Sequence, residues 1–272
     1  MSAFLDRIVG PVGRALVLHE LLERGRDRWV LVITGLFVTL AGGVGLYGKS
    51  VDGSEGALTA PSLMTLCSFL VPLVALVLGH DAIVGERERN TLGLLFSLPV
   101  RRGEVLVAKF LGRALALTLA VGLGLGSAAL MFGGGQAGRI LYMLAPTLLL
   151  GLAFLSIGVA ISTFVQRRAT AASAIVTVWF VFVLFYDMGL LGLMVATDGQ
   201  LPQSVVVGLV AANPAGLYRM GLLVDLVGTE ALGEMGLGAA LPSIPLRYGI
   251  WLAWVLLPLA LGALGLARRR TA

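Results

Sequence analysis

The stretch PSLMTLCSFLVPLVALVLG, residues 61–79, contains no charged side chain and decides the fold class. A helix of about 20 apolar residues is long enough to cross the hydrocarbon core of a membrane. Lipid offers no partner to a backbone N–H or C=O group, so such a segment must satisfy its own hydrogen bonds as a helix. Residues 61–79 are therefore predicted to form a transmembrane helix.

Further along the chain in both directions, similar apolar segments occur at residues 30–47, 109–132, 140–164, 171–196 and 249–267. The composition agrees with a membrane protein, since 58% of the residues are hydrophobic and 13% are charged, whereas about a quarter are charged in soluble domains. The mean hydropathy is +0.95. We predict an all-α, polytopic membrane protein with six transmembrane helices, forming a single domain over residues 1–272.

Basic residues are unevenly distributed between the two sides of these segments. One side carries only Lys49, Arg139, Arg219 and Arg247. The other side carries Arg7, Arg14, Arg24, Arg26, Arg28, Arg87, Arg89, Arg101, Arg102, Lys109, Arg167, Arg168, Arg268, Arg269 and Arg270. Because Lys and Arg are held preferentially on the cytoplasmic side, both chain termini are predicted to be cytoplasmic. The net charge of +5 forms no single stripe, which argues against nucleic-acid binding.

Two segments outside the spans are predicted to lie along the membrane. Residues 1–28 repeat apolar side chains at helical spacing with arginines on another face, which predicts a cytoplasmic interfacial helix. Residues 197–248 are divided by prolines and are predicted to be periplasmic. Within them, residues 203–210 and 217–227 are predicted to be short helices at or dipping into the interface, joined by a turn at Asn213 and Pro214.

The loop at residues 80–108 reads HDAIVGERERNTLGLLFSLPVRRGEVLVA and combines a charged run with apolar residues. We predict one short amphipathic helix over residues 86–98, which ends before Pro99. Asn90 and Thr91 are suited to cap the part that carries its apolar side chains. A charged rim beside apolar anchors is typical of a surface that docks onto a soluble partner. The residues concerned are Glu86, Arg87, Glu88, Arg89, Asn90, Thr91, Leu92, Leu95, Phe96 and Pro99.

Three ionisable side chains, Asp81, Arg113 and Asp187, lie inside or at the edge of the spans, where a charge costs about 3 kcal/mol to insert. Asp81 is predicted at the cytoplasmic end of its span. Arg113 lies one turn beyond Lys109, and both side chains are predicted to snorkel to the interface. Asp187, near the middle of its span, either pairs with Arg113, faces a dimer seam or contacts a substrate.

The sequence holds no recognisable catalytic or metal-binding set. There is no G-x-x-x-x-G-K-[ST] motif, so ATP must be handled by another chain. Cys67, the single cysteine, forms no spacing with His19 or His80 that is typical of a metal site. An intramembrane hydrolase using Ser68, His80 and Asp81 is disfavoured, because G-x-S-x-G and H-E-x-x-H motifs are absent. We predict no catalytic residue, no metal site and no cofactor in this chain.

Several motifs carry a resemblance to a known family. The loop at residues 80–108 resembles the coupling loop of ATP-binding-cassette type-2 transporter permeases, in which an acidic stretch, an Asn-Thr-Leu step and a proline recur. Further segments resemble the permeases of the nitrous-oxide-reductase maturation system within that family. They are ERGRDRW (23–29), DAIVGE (81–86), LPVRRGEVLVAKF (98–110), GSAAL (126–130), VWFVFVLFYD (178–187) and NPAGLYR (213–219).

This resemblance implies a non-catalytic homodimer in the bacterial inner membrane, surrounded by lipid. It also implies two copies of a cytoplasmic ATPase that binds ATP and Mg, and a periplasmic copper-handling protein. The loop residues above would contact the ATPase, and Asn213, Pro214, Tyr218 and Arg219 would contact the periplasmic partner. The implied role is copper-centre assembly of nitrous oxide reductase, by transport of a sulfur species or copper or by mechanical transmission. The alternative within the family is an exporter permease for a lipid, drug or peptide.

Overall fold

A computed structural model describes residues 13, 15–22, 35, 38–40, 42–44, 46, 59–97, 101–132, 134–227 and 242–268 of the chain. Within these ranges the chain is helical apart from short turns, and it contains no strand. The predicted all-α class is thereby confirmed. The helices are α1 (Thr59–Gly79), α2 (Val84–Glu88), α3 (Leu92–Ser97), α4 (Arg102–Phe132), α5 (Gly134–Tyr142), α6 (Leu144–Phe164), α7 (Arg168–Trp179), a π-helix (Phe180–Phe185), α8 (Tyr186–Ala196), α9 (Gln203–Ala212), α10 (Pro214–Val227) and α11 (Ile244–Arg268).

Five of the six predicted spans are confirmed as helices that are long and apolar enough to cross a membrane. They are Ala60–Glu88, Arg102–Met131, Ala137–Phe164, Arg168–Ala196 and Ile244–Arg268, and each contains its predicted segment to within one residue. The sixth predicted span, residues 30–47, lies mostly outside the described residues. Helices α9 and α10 pass the same test only as a pair bent by 116°.

The two ends of the bundle differ in charge. We call the basic end the one at which α1, α6 and α11 end and α4 and α7 begin. The described arginines at this end are Arg87, Arg89, Arg101, Arg102, Arg167, Arg168 and Arg268. The other end of the bundle is called the opposite end, and it holds the starts of α1, α6 and α11.

Helix α6 lies at the centre of the bundle and packs against α1, α4 and α11. Small residues allow its close approach to α1. A Cβ atom added to Gly79 would lie 2.8 Å from the carbonyl oxygen of Leu155, and one added to Gly158 would lie 3.0 Å from that of Leu76. Close approach through small residues is a common way for membrane helices to pack, because lipid supplies no hydrophobic force between them.

A proline in α11 leaves one backbone group that another helix satisfies. Pro258 has no N–H to donate to the carbonyl of Trp254. The hydroxyl of Ser156 on α6 donates to that carbonyl at 3.0 Å. This hydrogen bond helps fix the position of α11 along α6, since neighbouring side chains commonly satisfy backbone groups that proline frees in membrane helices.

The described part of the predicted N-terminal interfacial helix, residues 13 and 15–22, is helical. It lies against the bundle, since Val17 is fully buried and packs with Ala108 of α4. A Cβ atom added to Gly112 would lie 2.6 Å from Cβ of Glu20, so the close approach requires glycine there. The rest of residues 1–28 lies outside the described residues.

Candidate functional site

The loop at the basic end is broken into two short helices, α2 and α3, and the prediction of one helix over residues 86–98 is wrong. The break lies at Asn90, which has a φ of 56°. The amide of Asn90 donates to the carbonyl of Arg87, and the amide of Thr91 donates to that of Glu86. This paired arrangement terminates a helix at a left-handed residue, and asparagine is one of the few side chains that tolerate that conformation.

We predicted that the side chain of Thr91 caps α3, and this prediction is wrong. Thr91 closes the preceding helix, α2. Its hydroxyl donates to the carbonyl of Glu86 at 3.2 Å and also to the Glu86 carboxylate. Its carbonyl accepts from the amide of Leu95, the first hydrogen bond of α3. Thr91 therefore joins the two short helices through both its hydroxyl and its carbonyl.

Helix α3 is the most exposed apolar element of this loop, since none of its residues is buried. Leu92 and Phe96 pack against the bundle core, and the guanidinium of Arg102 lies 5.1 Å from the centre of the Phe96 ring. Leu94, by contrast, is 70% exposed. Our sequence reasoning missed Leu94, because it took Leu92, Leu95 and Phe96 as one helical face. Pro99, the last predicted contact residue, lies outside the described residues.

Two charged residues of α2 turn toward the loop between α6 and α7. Arg87 donates to the carbonyl of Val165, at the end of α6. Glu88 accepts from the amide of Arg168 at 2.7 Å and lies 3.5 Å from its Nε. Arg87 and Glu88 belong to the predicted charged rim, and both are therefore already engaged in contacts within the chain. Arg89 and Asn90 remain exposed.

Beneath α2 lies a buried ionic cluster formed by Glu20, Asp81, Glu86, Lys109 and Arg113. Arg113 is its most buried member, with 1% of its side chain exposed. Its Nε donates to Glu20 at 2.7 Å, and one terminal nitrogen donates to Asp81 at 2.7 Å and to the carbonyl of Leu78 at 2.5 Å. A buried guanidinium needs such partners, because an unpaired charge in this environment costs several kcal/mol.

Lys109, one helical turn before Arg113 in α4, completes the ionic cluster. Its ammonium lies 3.0 Å from Glu20 and 2.9 Å from Glu86. We predicted that Lys109 and Arg113 snorkel to the interface, and the structure shows that this is wrong. Both are enclosed, with 8% and 1% of their side chains exposed. The carboxylates of Glu20, Asp81 and Glu86 pair with these two cations and so offset the loss of their hydration.

Glu20 is a functional candidate that sequence reasoning missed. It was overlooked because the pattern of residues 1–28 was described by its apolar residues and its arginines alone. Glu20 follows Leu16 by four residues and Val17 by three, so all three lie on one helical face. A lone carboxylate on an apolar face is the signal that predicts a buried partner.

The ionic cluster joins three elements that are distant in sequence. Glu20 belongs to the N-terminal segment, Asp81 and Glu86 follow α1, and Lys109 and Arg113 belong to α4. A displacement of α2 or α3 would therefore be transmitted to α1 and α4, because separating the ion pairs would leave buried charges without partners.

Between the middle of the bundle and its opposite end, Asp187 pairs with Arg219 of α10. The suggested pairing of Asp187 with Arg113 is therefore wrong. The Asp187 side chain is 40% exposed and that of Arg219 is 24% exposed. Arg219 lies in a segment that we expected beyond the membrane, so its contact with the middle of a span was not foreseen.

Asn213 holds the bend between α9 and α10. Its side-chain nitrogen donates to the carbonyl of Phe182, in the π-helix halfway along the apolar helix Arg168–Ala196. Its side-chain oxygen accepts from the amide of Ala215, and Pro214 occupies the first helical position. An asparagine cap followed by proline is a favoured helix start. The predicted turn is confirmed, but it reaches the middle of a span and does not stop at the interface.

The other anchor of the α9–α10 hairpin is Tyr218, which is 1% exposed. Its hydroxyl lies 3.0 Å from that of Thr147. Asn213, Pro214 and Tyr218 are thus enclosed by the chain, and of the four residues expected to contact a periplasmic partner only Arg219 keeps appreciable exposed surface. The hydroxyl of Tyr186 adds a further tie by donating to the carbonyl of Leu209 at 2.6 Å.

In the described ranges, no three His, Cys, Asp or Glu side chains converge on a point that could hold a metal ion. Cys67 is buried. The absence of a metal site from the whole chain stays a prediction.

Five helices that are long and apolar enough to cross a membrane are typical of a multi-pass membrane protein. The sequence model described as "ABC-2 family transporter protein" matches residues 14–270. The chain therefore belongs to the ABC-2 transporter family, as a multi-pass membrane permease.

Two relatives are similar over nearly their entire lengths, and both are named "Probable ABC transporter permease protein NosY". The protein from Pseudomonas aeruginosa is 38% identical over 279 residues, which cover 96% of this chain and 99% of the relative. The protein from Stutzerimonas stutzeri is 39% identical over 271 residues, which cover 92% of this chain and 96% of the relative.

Proposed function

We propose that this permease is driven by a separate cytoplasmic ATPase that binds ATP and Mg, and that α3 is the element that docks into it. The observation that carries the proposal is the contrast between α3 and its surroundings. Leu94 projects from α3 with 70% of its surface exposed, while Leu92 and Phe96 of the same helix pack against the bundle core. An exposed apolar residue on a held helix is suited to enter a groove on a partner.

The path of motion follows from the contacts beneath α3. Thr91 joins α3 to α2, and Glu86 of α2 bonds to Lys109 of α4. Motion of the ATPase would therefore reach α1 and α4 through the ionic cluster. These contacts would couple nucleotide binding by the ATPase to the conformation of the membrane spans.

Substitution of Leu94 by Asp tests the docking proposal. The substitution leaves the bundle intact, because the side chain contributes little buried area. It should reduce co-purification of the co-expressed ATP-binding-cassette ATPase by about tenfold or more, since a charge would enter an apolar groove. Leu246→Asp, at an exposed leucine of the opposite end, is the matched control. Equal co-purification of both variants would contradict docking through α3.

We further propose that the permease works in copper-centre assembly of nitrous oxide reductase, in the bacterial inner membrane with both termini cytoplasmic. Support comes from the motifs quoted above and from the two relatives named NosY. The permease acts as a homodimer in lipid, with two ATPase copies. It acts by transport of a sulfur species or copper, or by mechanical transmission.

A periplasmic copper-handling protein is the proposed partner at the opposite end. Arg219 offers the accessible part of this contact, while Asn213, Pro214 and Tyr218 hold the hairpin that presents it. A strain without this gene should make nitrous oxide reductase that lacks copper, and the wild-type gene should restore it while the Leu94→Asp gene should not. Copper-loaded reductase in the deletion strain would contradict this role.

A further inference from the structure

An apolar groove of about 470 Å³ runs along the outside of the bundle between α6 and α11. Helix α6 contributes Ile157, Ile161 and Phe164, and α11 contributes Ile250, Trp254 and Leu257. The remaining lining residues are also hydrocarbon or aromatic, and they include Phe182 of the π-helix and Pro258. The groove therefore offers packing surface and little polarity.

The groove reaches from the basic end past the middle of the bundle, because its α6 wall lies in the last eight residues of α6 while its α11 wall is centred on the middle of α11. It extends along α11 from Ile250 to Leu261. At 1.5 Å per residue this distance is about 16 Å, roughly half of the hydrocarbon core. The limit of the groove toward the basic end is Phe164, the last residue of α6, whose ring packs on Gly265.

Cations lie just beyond this limit. Arg167 follows Phe164 by three residues, and Arg268 follows Gly265 by three. Both are exposed, and neither forms an ion pair with an acidic side chain in the part of the chain that the structure describes. Arg102 adds positive charge nearby, with a terminal nitrogen 3.3 Å from the carbonyl of Leu266.

We propose that the groove binds an anionic phospholipid from the leaflet at the basic end, with an acyl chain between α6 and α11 and the phosphate at Arg167 and Arg268. The acyl chain fills a recess that would otherwise lack dispersion contacts. Moving a hydrocarbon tail from bilayer to groove gains no hydrophobic free energy. Selectivity therefore comes from the headgroup, since each cation near an anionic lipid surface favours binding.

The test uses the purified full chain, reconstituted in vesicles of equal phosphatidylglycerol and phosphatidylcholine and analysed by native mass spectrometry. The wild-type chain should retain phosphatidylglycerol over phosphatidylcholine by roughly tenfold. Ala253→Phe fills the groove from its wall and should remove retention of both lipids. Ala260→Phe, on an exposed position of the same helix outside the groove lining, is the matched control and should retain lipid as the wild type does.

The headgroup contact is tested separately by the double variant Arg167→Gln and Arg268→Gln. It should still retain lipid, but with the preference for phosphatidylglycerol reduced roughly tenfold, to near parity. Arg139→Gln, which removes an exposed cation from the opposite end, should keep the preference. An unchanged preference in the double variant would overturn the headgroup assignment, and equal lipid retention by Ala253→Phe and Ala260→Phe would overturn the groove. If Ala253→Phe abolishes self-association while lipid is still retained, the groove is a contact between two copies and the proposal is wrong.

Discussion

The basic end and the hairpin at the opposite end are both held by polar contacts, but of different kinds. At the basic end, carboxylates and cations with 1% to 18% of their side chains exposed meet in one ionic cluster. At the hairpin, Asn213, Tyr186 and Tyr218 make neutral hydrogen bonds, and the two ion pairs of α10, Asp187–Arg219 and Asp225–Arg247, are partly exposed. The first arrangement resists separation of its parts, whereas each contact of the second is individually weak.

This difference suggests a division of work between the two ends. Removal of one partner from a buried ion pair costs about 3–5 kcal/mol, because the other charge stays buried. A neutral hydrogen bond contributes about 1 kcal/mol. The basic end is therefore suited to transmit a displacement without coming apart, and the hairpin is suited to shift between positions.

The largest expected effect is the loss of Arg113. Arg113→Met leaves Glu20 and Asp81 buried without their cation and should lower the free energy of unfolding by about 3–5 kcal/mol. Arg219→Met is the matched control at the opposite end, where partial exposure limits the loss to about 1 kcal/mol. Thermal unfolding of the two purified variants in detergent measures the difference. Equal losses would mean that the ionic cluster is solvated and that the two ends do not differ.

An intermediate effect is expected at Asn213. Asn213→Ala removes both the helix cap and the bond to the Phe182 carbonyl, and should destabilise the hairpin by about 1–2 kcal/mol. Asn213→Ser keeps a capping oxygen but is too short to reach Phe182, so it should lose about half as much. Amide hydrogen exchange over residues 203–226 should rise in that order. Unchanged exchange in the alanine variant would show that the hairpin is held by packing alone.

The smallest effect is expected for Tyr218. Tyr218→Phe removes one neutral hydrogen bond and should cost about 1 kcal/mol, since the Thr147 hydroxyl still donates to the carbonyl of Met143. Tyr142→Phe removes a bond to Asp225 from a half-exposed ring and should cost less. Unfolding in detergent compares the two. A larger loss at Tyr142 would reverse the assignment of Tyr218 as an anchor.

The membrane spans could be predicted because each depends only on the residues of its own segment. Twenty or so consecutive apolar residues need hydrocarbon around them whatever else the chain does. The turn at Asn213 was predictable for the same reason, since an asparagine cap followed by proline carries its own geometry. The depth to which that turn reaches was not predictable, because it depends on the Phe182 carbonyl, which lies elsewhere in the chain.

The ionic cluster shows why the rest was missed. Lys109 and Arg113 lie one turn apart near the end of a span. From the sequence alone, such side chains could equally snorkel to the interface or be buried against acidic partners. Those partners, Glu20 and Glu86, come from segments that only the folded chain brings together. The break at Asn90 is similar, because a run of good helix formers on both sides hides a single left-handed residue.

The bend of the α9–α10 hairpin also has an electrical consequence. Peptide dipoles leave a partial negative charge at the last turn of α9 and a partial positive charge at the first turn of α10. The 116° bend brings these two helix ends together at Asn213, in the middle of the bundle. Their opposite partial charges compensate each other there, so the bend lies deep in an apolar protein without leaving an isolated partial charge in hydrocarbon.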